Sequence, residues 1–164
     1  MKGKGFVIKS RDYDGWGKAF NHFSDFLNQA PNFEGKTYRG LKFENDIEYN
    51  AFIKRFSKGN IVRNKGFWST TQNPNTARGF SSPNRYTPYK VLITINGKTS
   101  TIADNFVEYV NELESIFNQN SKFLVKDVKI KTKSVKVAKS IKVGSKDVVE
   151  KTTNFVEIIL DEII

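Results

Sequence analysis

Gly66-Phe67-Trp68-Ser69-Thr70-Thr71 divides the chain into two unlike parts. Phe, Trp and Thr favour extended backbone, so the stretch itself reads as a strand. Before it the pattern is mainly helical. Trp16, Phe20, Phe23 and Leu27 recur at helical spacing and predict a helix over about Tyr13 to Gln29. Asp14 and Gly15 supply start signals and Ala30-Pro31 a stop, with His22 beside the apolar stripe as a structural or surface residue. Lys36 to Lys42 reads as a strand. Asp46 then resembles the N-cap of a second helix through about Arg55, ended by Gly59, and Ile61-Val62 is a short extended piece.

After the dividing stretch, Asn73-Pro74-Asn75 is a turn or the cap of a short helix reaching Phe80, and Ser81-Ser82-Pro83-Asn84 is a loop. Tyr89 to Ile95 is a strand ending at an Asn96-Gly97 turn, and Asp104 to Asn111 is a loop or short helix. Glu114 to Phe117, Ser121 to Lys133, Val135 to Val143 and Asn154 to Leu160 are extended, with a turn at Gly144-Ser145. Helices first and strands later predict an α+β domain. Neither a repeat nor a linker divides residues 1–164, so one domain is expected.

Composition narrows the chemistry. The 14 Phe among 164 residues indicate a packed core and exclude a disordered tail. Without Cys there is no disulfide, thiol nucleophile or Cys-based metal site. The single His22 excludes a His-cluster metal site, and no metal is expected. The basic start, Met1 to Gly5, is followed only by Phe6-Val7-Ile8, too short for a signal-peptide apolar region. A soluble protein, monomeric and with no membrane partner, is expected, acting in the cytoplasm of its own or a target cell after some separate delivery route. The net charge of +10 favours an anionic partner: a nucleotide, a nucleic acid or an acidic protein surface. Much of it lies late, in Lys122, Lys126, Lys129, Lys131, Lys133, Lys136, Lys139, Lys142 and Lys146. Alternating Lys in strands reads first as a solvated face and as protection of edge strands.

Three groups of residues could carry chemistry, and each has a plain alternative. Arg39 is a surface residue or ion-pair partner, or a guanidinium gripping a phosphate, with Gly40 allowing close approach. Ser69-Thr70-Thr71 is an exposed strand end, or a row of hydroxyls orienting a carboxylate or a ribose. Glu112 and Glu114 are two solvated carboxylates, or, if both lie in a strand, like charges sharing one face.

Taken together, the order strand Arg, aromatic-Ser-Thr-Thr, Glu-x-Glu before a strand resembles the Arg-Ser-Glu class of mono-ADP-ribosyltransferases. The likeness runs from about Tyr13 to Val128 through Thr37 to Leu41, Asn64 to Thr71, Ala77 to Phe80 and Glu112 to Phe117. It is similar to the transferase domains of bacterial binary toxins and to those linked to phage head-morphogenesis proteins. The resemblance implies a split β-sandwich with N-terminal helices and NAD, a substrate, in the cleft. It further implies Arg39 at the NAD phosphates, Ser69 positioning the catalytic Glu114, and Thr70 and Thr71 completing that motif. Glu112 then directs an arginine acceptor, and Phe80 packs near the nicotinamide. Phe106 and Tyr109 become contacts to a protein acceptor. Ser-Thr-Thr replaces the usual Ser-Thr-Ser, and Asn118-Gln119-Asn120 replaces a turn containing Pro and Gly.

Three other readings compete. A His-and-Tyr transferase would need His22 in a Tyr-rich strand. A non-catalytic phage structural or interaction module would keep the fold without the chemistry. A basic nucleic-acid-binding domain would use the late Lys run, but no RNA-recognition, helix-turn-helix or zinc-finger signature accompanies it.

Overall fold

Strand β4 (Tyr89–Ile102) holds two groups of strands together. The computed structural model describes residues 13–80, 88–103, 113–138 and 148–164. Val91, Ile93 and Ile95 of β4 are wholly buried, as alternation on a strand covered on one face requires. This half of β4 pairs antiparallel with β1 (Phe33–Phe43), from Lys36↔Asn96 to Phe43↔Tyr89. On its other side it pairs in parallel with β7 (Val148–Ile163), from Lys90↔Phe155 to Asn96↔Asp161. Next to β7 runs β6 (Lys122–Ala138), with β2 (Ile61–Arg63) against its first residues.

The far end of β4 has different neighbours. Thr101 and Ile102 pair with Ile116 and Ser115 of β5 (Glu114–Phe117). β5 pairs with β3 (Trp68–Thr71), and β3 returns to β1 through Tyr38↔Thr71. The order β1-β3-β5-β4-β7-β6-β2, with the added β1–β4 pairing, closes four strands into a ring. β1 and β3 are paired at Tyr38↔Thr71 alone, so from Arg39 onward they diverge. That divergence is the split of the sandwich.

Helix α1 (Tyr13–Gln29) lays Phe23 edge-on to Phe67, ring centroids 4.7 Å apart, and buries Leu27, while His22 is exposed. Helix α2 (Asp46–Arg55) begins where expected, but its N-cap is Asn45, whose Oδ1 accepts from the Glu48 amide at 2.9 Å. Asp46 is instead in the first turn, where its charge suits the positive helix end. Tyr49, Phe52 and Phe56 of this helical segment pack into a core with Val62, Phe117, Phe123, Val125, Val156, Ile158 and Leu160. Gly59, at φ 89, ends the segment. Helix α3 (Pro74–Phe80) starts at Asn73, whose Oδ1 accepts from the Asn75 amide at 3.0 Å.

Two further expectations change. Asn96-Gly97 is not a hairpin turn, because β4 continues to Ile102. Gly97 is required by packing: a Cβ there would lie 2.6 Å from Cζ of Phe117. Just beyond it in β4, the amides of Lys98 and Thr99 and the Thr99 hydroxyl all donate to the buried Glu162 carboxylate. The buried Glu162 carboxylate thus finds its donors where, among the described residues, β4 has no strand partner for Lys98 and Thr99. The second change is in β6, which runs unbroken to Ala138, with Ser134 paired to Thr152 rather than dividing two strands. The expected loop at 81–84, the segment at 104–111 and the turn at Gly144-Ser145 lie outside the described residues. The Asn118-Gln119-Asn120 turn needs no Gly, because Asn120 takes φ 64 and donates its amide to the Asn64 carbonyl at 2.9 Å.

Candidate active site

β3 and β5 bring hydroxyls and a carboxylate to one surface. Thr71 pairs with Glu114 and Ser69 with Ile116, so Ser69, Thr71 and Glu114 point the same way. Trp68, Thr70, Ser115 and Phe117 point to the other face, where Phe117 is wholly buried. The Ser69 hydroxyl donates to Oε1 of Glu114. The Thr70 hydroxyl donates to the Ser115 carbonyl at 2.7 Å, and Ser115 Oγ donates to Ser100 Oγ at 2.9 Å. These bonds tie β3 to β5 and β5 to β4 directly beneath Glu114. Thr71 Oγ1 accepts from the Asn73 amide at 3.0 Å, which links the strand end to the start of α3.

Arg39 reaches across the split from β1. Its Nη1 donates to the Ser69 carbonyl at 2.8 Å, and its guanidinium carbon stands 5.7 Å from the Trp68 ring centroid. Trp68 is held by stacking on Phe123 at 5.1 Å. Burial lowers the Arg39 pKa from its ordinary value, the sign of a cation partly withdrawn from water. Among the described residues Arg39 has no ion-pair partner. A half-buried guanidinium of this kind gains most from an anionic ligand.

Arg39, Gly40, Ser69, Thr70, Thr71, Phe80 and Glu114 line one cavity of about 230 Å³, with Tyr38, Leu41 and Ala77. Seven residues chosen on sequence therefore converge on one cleft. Phe80 stands at its mouth, 55 % exposed. Glu112, Phe106 and Tyr109 lie outside the described residues. β5 begins at Glu114, and Leu113 before it has φ 49. Leu113 is held there by its carbonyl, which accepts from the Gln72 amide at 3.0 Å. A left-handed Leu stores strain beside the carboxylate. Two contributors went unnoticed in the sequence: Trp68 as the platform for Arg39, and Asn118. The Asn118 amide donates to the Ser24 carbonyl at 3.0 Å and to Asn28 Oδ1 at 2.8 Å, fastening β5 to α1. The Trp68-Ser69 adjacency was a signal for the first; nothing local marks the second. Among the described residues no cluster of His, Cys, Asp and Glu could hold a metal ion.

The family model described as ADP-ribosyltransferase exoenzyme matches residues 25–152, a span containing every lining residue of the cleft. The chain belongs to this family. The exoenzyme domain is 31 % identical over 96 residues to Photox toxin of Photorhabdus laumondii, covering 57 % of this chain and 21 % of Photox. It thus spans about a fifth of that curated relative. Its fold is similar to that of Vis, an ADP-ribosyltransferase toxin from Vibrio splendidus, at TM-score 0.60 and 18 % identity, over 95 % of this chain and 64 % of Vis. The ATR domain of Salmonella SpvB matches at TM-score 0.58 and 16 % identity, over 96 % of this chain and 77 % of that domain's chain. The expected α+β architecture, a split β-sandwich with N-terminal helices, is therefore the fold of these toxins. NAD is the substrate of the family. Among the described residues no helix is long and apolar enough to cross a membrane.

Proposed function

We propose that this exoenzyme domain transfers ADP-ribose from NAD to an arginine side chain of a protein, with NAD hydrolysis as a side reaction. The convergence of Arg39, Ser69 and Glu114 on one cleft supports this reading most directly. Arg39 binds the NAD diphosphate and so positions the reacting end. The bond between the ribose anomeric carbon and nicotinamide breaks, and its electron pair leaves with nicotinamide. Positive charge develops on the ribose, as in glycoside hydrolysis. The Glu114 carboxylate, held by Ser69, stabilises that charge and accepts a hydrogen bond from the ribose hydroxyl. Glu112 orients the acceptor guanidinium and takes its proton as nitrogen bonds to the anomeric carbon; water in its place gives hydrolysis. Phe80 covers the nicotinamide, and Phe106 and Tyr109 contact the acceptor protein.

An arginine acceptor is supported by the structure of Vis in complex with agmatine, a small guanidine. The test is incubation with labelled NAD and cell lysate, followed by mass spectrometry of the labelled proteins. ADP-ribose on arginine is expected. Label confined to other residue types would overturn the acceptor assignment.

A further inference from the structure

The sheet face turned away from the core carries positive charge that this chemistry does not use. By register, Lys42, Lys90, Phe155 and Lys131 lie side by side across β1, β4, β7 and β6. The next row is Gly40, Leu92, Glu157 and Lys129. Lys42, Lys129 and Lys131 are exposed. Lys90 Nζ stands 4.3 Å from the Phe155 ring centroid, and Lys131 Nζ lies 3.6 Å from the Glu157 carboxylate. Arg78 of α3 overlooks a hollow of about 130 Å³ on this face, lined by Tyr38, Leu92, Lys129, Glu157 and Ile159 among others. Further along the face, Asp161 is engaged by Lys126 at 3.5 Å and by Asn96 at 2.6 Å, and Asp127 by Lys58 at 3.8 Å. On this part of the face Glu157 pairs with Lys131, and Lys42 and Lys129 stand exposed beside them.

Edge protection does not explain this set, because Lys90 is on β4, paired on both sides. Like charges in one row across neighbouring strands repel, so they raise the potential of the face at some cost to the fold. The face is also continuous with the cleft: Tyr38 lines both cavities, and Arg78 follows Ala77, a cleft residue. Phe155 is capped by Lys90 and offers no open ring on which a base could stack, which disfavours single-stranded nucleic acid.

We propose that this basic face docks an acidic segment of the acceptor protein beside the dinucleotide cleft. The proposal rests on the transferase reading above. Its test uses the full chain and the variant Lys42→Glu/Lys129→Glu/Lys131→Glu. Two fluorescent peptides serve as probes, each with one arginine, one with flanking glutamates and one with glutamines in their place. Anisotropy is expected to show the glutamate peptide binding about tenfold tighter at low salt, with the advantage shrinking as salt rises. In the triple variant the preference disappears, while nicotinamide release from NAD alone and transfer to agmatine are unchanged. Equal binding of the two peptides, or a preference surviving in the variant, overturns the proposal. So does a labelled single-stranded DNA 20-mer outcompeting the glutamate peptide at equal concentration. Absence of nicotinamide release by the unaltered chain would instead overturn the transferase reading, and the anisotropy would still decide the docking.

Discussion

Ser69 donates its hydroxyl to Glu114 along a diagonal, since the residue directly opposite Glu114 is Thr71. Diagonal neighbours on a sheet stand farther apart than direct pairs, so this contact depends on the twist between β3 and β5 and on the rotamers of both side chains. One carboxylate oxygen is thereby engaged by the protein. The proposed role of Ser69 is to aim Glu114, and the distinction between aiming and reacting is measurable.

For Ser69→Ala, kcat for nicotinamide release should fall by up to about a hundred-fold, the cost of a misplaced reacting group, with KM for NAD little changed. Ser69→Thr should recover part of the loss. A rise in KM at constant kcat would contradict the aiming role. Steady-state kinetics with nicotinamide detection decides between them.

Arg39→Lys keeps the charge but loses the planar fork. Losing one charge-assisted hydrogen bond costs about 1.5–3 kcal/mol, so KM for NAD should rise roughly ten- to hundred-fold. The Ser69 carbonyl would also lose its guanidinium donor. Burial lowers the Arg39 pKa, but a guanidinium stays protonated in proteins, so no pH dependence near neutrality should come from this residue. Titration of NAD binding by calorimetry in both proteins is the check.

Gly97→Ala should destabilise the domain by about 1–3 kcal/mol, because its Cβ enters the space of the Phe117 ring. Phe117→Leu should be destabilising alone, and the double variant should be less unstable than the sum of the two. Additive effects in denaturant titrations would mean that the two positions do not share that contact.

Glu112→Gln should lose transfer to arginine while keeping part of the NAD hydrolysis. Parallel assays with and without agmatine separate the two reactions. Equal loss of both would argue against an acceptor role for Glu112.

The strands were legible where alternation and burial coincide, as in Tyr89 to Ile95, and α2 where an apolar stripe follows a polar start. Reading failed where a local signal had a distant cause. Asn96-Gly97 has the composition of a hairpin turn, yet Gly97 answers to Phe117 on β5, the strand that pairs with the far end of β4. Asn45 and Asp46 are both good caps, and only backbone geometry separates them. In the cleft, Arg39, Ser69 and Glu114 each had a plain alternative, and only their order along the chain, which resembles the Arg-Ser-Glu class, singled them out. The support beneath them was not. Trp68 looks like an ordinary core aromatic until Phe123 is stacked on it. Asn118 acts only through contacts to an α1 that is remote in sequence. The basic face was visible as a Lys-rich run, but Lys42 and Lys90 joined it only through strand register.

The most direct test of the proposed chemistry is nicotinamide release from NAD in the presence of agmatine, for the unaltered chain and for Glu114→Gln at equal folded concentration. The account predicts ADP-ribosyl-agmatine and nicotinamide from the first, and a loss on the order of a hundred-fold or more in the second, with unchanged circular dichroism. Comparable turnover by the two proteins would contradict it.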